Sequence, residues 1–174
     1  IVFLLDSVIS FFCVLFLLGF MMQAMRVSFA GQPGNFVVAL TNWAVKPLRR
    51  IIPGIGGLDW STVFAAFALQ LLLSGILIAL SGRFAEADIA GLVPMILWFA
   101  LRAVLRLAVY IMIGALILQA VLSWINPYSP LAAPAQQLTR PILDPIRRLI
   151  PLIGGIDLSP LVAILLLQVV LMFL

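Results

Sequence analysis

The sequence predicts an all-α integral membrane protein, and three observations support that fold class. Hydrophobic residues make up 65% of the 174 residues and charged residues only 9%, with a mean hydropathy of +1.28. Soluble domains are about 45–50% apolar and about 25% charged. Uncharged apolar runs recur at about the length that an α-helix needs to cross a bilayer. A basic, proline-containing motif also occurs twice, each time just before such a run.

The repeated motif divides the chain into two halves. Residues 47–61 read PLRRIIPGIGGLDWS and residues 145–159 read PIRRLIPLIGGIDLS. Ten of the fifteen positions are identical at a spacing of 98 residues, and the similarity extends more weakly to Gln70 and Gln168. We therefore predict two repeats, residues 1–82 and 83–174. Each holds two membrane spans and an interfacial, proline-broken basic segment. Because each repeat has an even number of spans, both insert in the same orientation.

Two spans are predicted in the first repeat. Residues 7–25 and 61–82 carry no charged side chain, and nineteen residues cross a hydrocarbon core of about 30 Å. Ser61 is a candidate N-cap, and Ser159 is its counterpart, followed by Pro160 at a preferred first helical position. The sequence begins at Ile1 and ends within an apolar run, so we expect the natural chain to extend beyond both ends.

The second repeat contains an apolar stretch, residues 89–125, that is too long for one perpendicular span. Arg102 and Arg106 lie one turn apart on one helical face. We predict a span over residues 107–125, with residues 89–105 as an interfacial or strongly tilted lead-in. The fourth span is predicted over residues 159–174.

An amphipathic helix is predicted before each motif, with Asn35 as a candidate cap of the first. The apolar positions are Phe36, Val37, Leu40, Trp43 and Ala44 in the first segment and Leu131, Ala135, Leu138 and Ile142 in the second. Because proline lacks a backbone donor, we expect breaks at Pro47 and Pro53 and at Pro141 and Pro145. Such segments must lie at the interface or against protein.

The charge distribution predicts an orientation and a lipid partner. The chain carries ten basic and six acidic residues, and its net charge of +4 favours anionic phospholipid headgroups over direct nucleic-acid binding. Seven basic residues lie on one side of the predicted spans and three on the other: Arg26, Lys46, Arg49, Arg50, Arg140, Arg147 and Arg148, against Arg83, Arg102 and Arg106. This asymmetry predicts that both motifs face the cytoplasm and both termini face outward.

The duplicated motif resembles that of the YggT family of bacterial and plastid membrane proteins, and the resemblance covers nearly the whole chain. The first copy departs from the second at Gly54 and Thr62, where the second has Leu152 and Pro160. The resemblance implies a four-span protein of the bacterial inner membrane. It also implies roles in osmotic tolerance, in nucleoid and division organisation, or in cytochrome b6 assembly. It brings no catalytic residue set.

Residue types typical of enzymes are missing. The sequence has no histidine and a single cysteine, Cys13, which excludes bis-histidine haem ligation, common zinc sites and paired thiols. Gly54, Gly56 and Gly57 do not form a phosphate loop, because no lysine follows them, and a flexible turn is the simpler interpretation. We predict no catalytic centre and no bound haem, flavin or transition metal.

Four sets of residues are candidate sites, each with a structural alternative. Arg49 and Arg50, like Arg147 and Arg148, could bind anionic lipid or an acidic partner, or only snorkel and set topology. Asp59 and Asp157 lie beside helix starts, where a carboxylate complements the helix dipole; a proton-relay role is the other interpretation.

Gln70 and Gln168 each lie nine residues past a predicted serine cap, about 14 Å into the bilayer. These amides either join helices or line a wet path. Arg102 and Arg106 either snorkel to the outer headgroups or line an anion path.

The sequence therefore favours a scaffold or assembly factor that acts through other membrane proteins or through self-association. The rival function is an oligomeric channel or transporter for ions or osmolytes. We favour the scaffold because the predicted backbone breaks lie at the interface and the predicted mid-depth groups are neutral.

Overall fold

The structure is a computed structural model that describes residues 2–28, 31–52, 54, 56–81, 89–150 and 157–174. These residues form helices, turns and loops without a β-strand. The six helices are α1 (Val2–Ala24), α2 (Gln32–Ile51), α3 (Trp60–Leu80), α4 (Ile89–Ile125), α5 (Ala132–Leu149) and α6 (Ser159–Phe173).

Three helices in the described ranges, α1, α3 and α4, are long and apolar enough to cross a membrane. The apolar α6 has 15 residues, or about 22 Å, which is less than the thickness of a hydrocarbon core. The all-α membrane class is therefore confirmed, whereas the count of four spans stays a prediction. The first predicted span is extended at its start, because α1 begins at Val2 and includes Asp6.

The core lies between α1 and α3, with α4 packed against both. Phe16 and Ala66 are fully buried at this junction, together with Cys13, whose thiol donates to the Ala66 carbonyl at 3.4 Å. The small Ala66 side chain lets α1 approach α3 closely. A second core around Leu116 and Leu143 joins α4 to α5 and α6.

The bundle has two chemically different ends. At one end, which we call the arginine end, α3 and α6 begin and α2 and α5 end. The last turns of α2 and α5 contain Arg49 and Arg147. At the opposite end, the cavity end, Asp6, Ser81 and Arg102 line a common cavity. Because α1 reaches from Asp6 to the arginine end and α3 returns to Ser81, these two helices run antiparallel.

The prolines do not break α2 and α5 as predicted. Helix α2 continues through Pro47, and α5 continues through Pro141 and Pro145. Each proline removes one backbone donor, but the buried apolar face of the helix still packs against α1, α3 or α4 and keeps the helix continuous. The prediction of proline-broken segments is therefore wrong at these three positions.

The two amphipathic helices, α2 and α5, each end two positions before a proline. Ile52 has φ −115° and ψ 97°, and Ile150 has φ −113° and ψ 111°. Both residues precede a proline, whose ring disfavours the α conformation in its predecessor. Pro53, where we also predicted a break, lies outside the described residues, as does Pro151.

Two further predicted boundaries differ from the structure. Helix α4 is continuous through Arg102 and Arg106, so the predicted division between lead-in and span is not a break in the backbone. Its 37 residues extend over about 55 Å. Asn35 lies inside α2, whose N-cap is Gly31, so the predicted cap at Asn35 is wrong.

Burial follows the 98-residue spacing at several positions. The pairs that are buried in both halves include Thr41 with Thr139, Val45 with Leu143, and Ala65 with Ala163. Both threonine hydroxyls donate to the carbonyl four residues earlier, at 2.7 Å and 2.9 Å. The two halves thus bury equivalent faces, while their arrangement as same-orientation repeats stays a prediction.

Candidate functional site

The first copy of the motif closes through an ion pair between α2 and α3. Arg49 Nε donates to Asp59 Oδ2 at 2.5 Å. The other carboxylate oxygen, Oδ1, accepts hydrogen bonds from the Ser61 hydroxyl and from the Ser61 N–H, the latter at 3.2 Å. Asp59 is therefore the N-cap of α3, and the predicted cap at Ser61 is wrong. An aspartate oxygen satisfies the free first-turn donor and also complements the helix dipole.

Gln23 at the end of α1 completes this arrangement. Its Oε1 accepts from the Asp59 N–H at 2.8 Å, and its Nε2 donates to the Gly57 carbonyl at 3.1 Å. Gly56 and Gly57 have φ values of +67° and +77°, which side chains with a Cβ rarely adopt. The glycines therefore form a defined turn that presents its backbone to α1, rather than only a flexible linker.

The second copy of the motif repeats the ion pair. Arg147 Nη2 donates to Asp157 Oδ2 at 2.9 Å, and Asp157 Oδ1 accepts from the Ser159 N–H at 2.9 Å. Ser159 is the first residue of α6 and follows its N-cap Leu158, so the predicted cap at Ser159 is also wrong. We call each of these units, Arg49–Asp59–Ser61 and Arg147–Asp157–Ser159, a clasp.

The charge state of Asp157 follows from its partners. Partial desolvation acts to raise the pKa of its carboxyl, but hydrogen bonds from Ser159 and the pairing with Arg147 outweigh that effect. The pKa of Asp157 is consequently held below its ordinary value. The carboxylate is thus ionised at neutral pH and available to the clasp.

The two arginines of each pair differ in their partners. All four arginines are exposed, but only Arg49 and Arg147 are bound by the aspartates. Neither Arg50 nor Arg148 has an acidic partner among the residues that the structure describes. Both therefore offer a free guanidinium at the arginine end.

The two glutamines occupy different environments. Gln70 is 3% exposed and lies close to Cys13 in the core between α1 and α3. Gln168 is exposed on α6. The structure of the single chain therefore does not bring the two amides together as equivalent partners.

Arg102 and Arg106 line a cavity of about 600 Å³ between α3 and α4. Arg102 is half-buried and its Nε donates to the Leu174 backbone carbonyl. Arg106 is exposed. The remaining polar lining comes from Asp6, Gln70, Ser74 and Ser81.

A second cavity of about 460 Å³ lies between α4 and α6 at the arginine end. Arg147 and Asp157 contribute to its lining, which is otherwise mostly apolar. Within the described ranges, no three Cys, Asp or Glu side chains cluster as metal ligands. The predicted lack of a cofactor stays a prediction.

The comparison with known families agrees with this duplicated geometry. A family model described as CCB3/YggT matches residues 1–80 and, separately, residues 88–174. The chain belongs to the CCB3/YggT family.

Relatives of this CCB3/YggT protein are similar over almost all of its length. An uncharacterized protein of Pseudomonas aeruginosa is 34% identical over 97% of this chain and 85% of its own. A Vibrio alginolyticus protein is 34% identical over 92% of this chain and 85% of its own. The Escherichia coli K12 protein named uncharacterized protein YggT is 32% identical over 97% of this chain and 85% of its own. No solved structure matches the chain.

The YggT motif alone did not indicate how its charges pair. The sequence marks the aspartates and the arginines separately, but each pair is ten positions apart, and whether its members meet depends on the path of the chain between them. Gln23 was missed altogether, because one amide at the end of an apolar run carries no periodic signal. Its position near the end of an uncharged run is the only indication that the sequence offers.

Proposed function

We propose that this CCB3/YggT protein is a non-enzymatic scaffold or assembly factor of the bacterial inner membrane. The observation that carries the proposal is the unequal use of the arginine pairs. In each copy one arginine is bound by an aspartate of the same chain, while its neighbour remains exposed and free of an acidic partner in the described structure. The free residues, Arg50 and Arg148, are the proposed contacts to acidic partners.

The clasps give these two arginines fixed positions. Each clasp ties the end of an amphipathic helix to the first turn of an apolar helix, so the neighbouring guanidinium is presented from a rigid element. Holding a charged side chain near its bound position reduces the ordering cost of association. This arrangement is suited to binding and brings no nucleophile or general base into position.

Anionic phospholipid is the second proposed partner of the arginine end. Arg147 lies at the rim of a largely apolar cavity between α4 and α6, which also contains Trp124. A guanidinium beside an apolar groove suits a phosphate headgroup with its acyl chain. The exposed aromatic ring is typical of a membrane interface.

The proposed membrane arrangement follows the sequence argument. We place four spans, α1, α3, α4 and α6, in two same-orientation repeats with the arginine end in the cytoplasm. The directions of α1 and α3 and the 98-residue spacing of buried positions support this arrangement. Osmotic tolerance and envelope or nucleoid organisation are the proposed phenotypes, and they rest on the family resemblance alone.

An oligomeric channel or transporter is the alternative. The cavity lined by Arg102 and Arg106 supports it, because polar cavities at membrane depth often belong to solute pathways. The exposed position of Gln168 does not favour a conduit within one chain, since it leaves Gln70 without an equivalent polar partner.

Purification from native membranes in mild detergent tests the scaffold. We expect wild-type protein to retain membrane proteins in fixed stoichiometry, as counted by mass spectrometry. The Arg50→Gln/Arg148→Gln variant should lose them, whereas Arg140→Gln should keep them. Arg140 is exposed but already pairs with Asp144 at 3.1 Å, which makes it a matched basic control. Wild-type protein that purifies alone would argue against a scaffold.

A further inference from the structure

The cavity end carries positive charge that the described structure does not neutralise. Arg102 and Arg106 are one helical turn apart on α4 and both line the cavity. Like charges at this spacing destabilise a helix. No carboxylate among the described residues lies within 4 Å of either guanidinium, although Asp6 lines the same cavity. Among the described residues that line the cavity, two cations stand against one anion, so this part of the lining is net positive.

The position of the arginines along α4 places them at headgroup depth. Arg106 is nineteen residues before Ile125, so about 28 Å of helix separates it from the arginine end of α4. That distance is close to the thickness of a hydrocarbon core. Arg102 and Arg106 therefore lie at the membrane surface opposite Arg50 and Arg148. Ser81, which directly follows the last residue of α3, lines the same cavity.

The shape and lining of the cavity suit a ligand with a charged head and an apolar body. Its volume of about 600 Å³ lies within the range of small-molecule sites. Gln70 and Ser81 both line it and are eleven positions apart, about 16 Å along α3, so the cavity reaches from the surface well into the bilayer. The rest of the lining is largely apolar and includes Leu73, Leu77, Ile78, Met95 and Phe99.

From these observations we infer that the α3–α4 cavity binds the phosphate-bearing headgroup of an anionic phospholipid from the leaflet at the cavity end. Arg102 and Arg106 hold the phosphate by charge-assisted hydrogen bonds. Among the described residues, Arg102 donates only through its Nε, to the Leu174 carbonyl, so its terminal nitrogens remain for the ligand. The apolar walls receive the upper part of an acyl chain. A free phosphate ion would satisfy the arginines but would leave those walls against water.

Photo-crosslinking with a photoactivatable phosphatidylglycerol tests the site. With delipidated wild-type protein in detergent, we expect labelled peptides from α3 and from residues 95–106 of α4. The Arg102→Gln/Arg106→Gln variant should require about thirtyfold more lipid for equal labelling, at about fivefold for each charge. Arg140→Gln, at the opposite end, should leave labelling of these peptides unchanged.

A second variant keeps the test decisive if the double substitution prevents folding. Ala103 lines the cavity between the two arginines, so Ala103→Phe fills it without changing charge. This variant should also lose the labelling. Unlabelled phosphatidylglycerol should compete with the probe and inorganic phosphate should not. Equal competition by inorganic phosphate would assign the site to free anions, and unchanged labelling in the variants would remove the site. Either result overturns the inference.

Discussion

Arg147 at the end of α5 and Asp157 just before α6 form a 2.9 Å ion pair, ten residues apart in sequence. Arg49 and Asp59 form the same pair at the same separation in the first half of the chain. In both copies the aspartate also accepts a hydrogen bond from the first turn of the following helix. In each copy a clasp therefore joins the end of one helix to the start of the next, and the second arginine of the pair has no acidic partner among the described residues.

Removal of the first clasp should destabilise the protein more than removal of a surface ion pair. Asp59 is 7% exposed and caps α3. Asp59→Ala should cost about 1–2 kcal/mol, because loss of an aspartate cap alone costs about 0.5–2 kcal/mol. Asp144→Ala breaks only the exposed pair with Arg140 and should cost well under 1 kcal/mol. Thermal unfolding in detergent compares the two variants, and equal midpoints would show that the first clasp is not structural.

Gln23 should be as important to the first clasp as its charged members. Gln23→Leu removes the acceptor of the Asp59 N–H and the donor to the Gly57 carbonyl. Leaving a buried backbone group unsatisfied costs about 1–3 kcal/mol. The exposed Gln137 on α5 provides the control, since Gln137→Leu should leave the unfolding midpoint unchanged. A midpoint for Gln23→Leu equal to that of the control would contradict this role.

The second clasp should respond to acid. The pKa of Asp157 is lowered in the folded protein, so its contribution to stability is fully present above its ordinary pKa of 3.8. The contribution is lost as pH falls through the lowered value, because the folded state then has to take up the proton. Unfolding midpoints measured from neutral pH downward should fall less steeply in Asp157→Asn than in wild type. Parallel profiles would show that the carboxylate does not stabilise the fold.

The two glutamines should behave differently when replaced. Gln70→Leu removes a buried amide from the core around Cys13, and membrane hydrogen bonds average about 0.6 kcal/mol, so a small loss is expected. Gln168→Leu on the exposed face should change the unfolding midpoint still less. Liposomes with wild-type protein and with either variant should all show background ion flux. Conduction by wild type that either substitution alters would favour the channel over the scaffold.

The sequence predicted the class of fold and the residues of the site better than it predicted their connections. A bilayer requires an apolar composition and apolar runs of a set length, so the membrane helices could be predicted from the sequence. The prediction of helix breaks failed at Pro47, Pro141 and Pro145. Proline is a strong local signal for a break, but the packing of an amphipathic face overrides it at these positions. The clasps were not predictable, because the Arg49–Asp59 contact depends on the left-handed turn at Gly56 and Gly57.

Topology can be measured at the arginine end. Ile51 and Leu149 directly follow the arginine pairs and are 80% and 83% exposed, so Ile51→Cys and Leu149→Cys are accessible labelling sites. In a Cys13→Ala background, both should be protected from impermeant thiol reagents in intact cells. Ser81→Cys at the cavity end should react. The opposite pattern would reverse the proposed orientation.

The most direct test of the scaffold is photo-crosslinking in cells from the same two positions. A photoreactive amino acid at residue 51 or 149 stands beside Arg50 or Arg148 and should yield discrete adducts with other membrane proteins. Arg50→Gln/Arg148→Gln should abolish these adducts, and the same photoreactive residue at the exposed, lipid-facing Leu166 should give none. Adducts that persist after neutralisation of both arginines, or that form equally well from position 166, would contradict the proposal that the free arginines hold a partner.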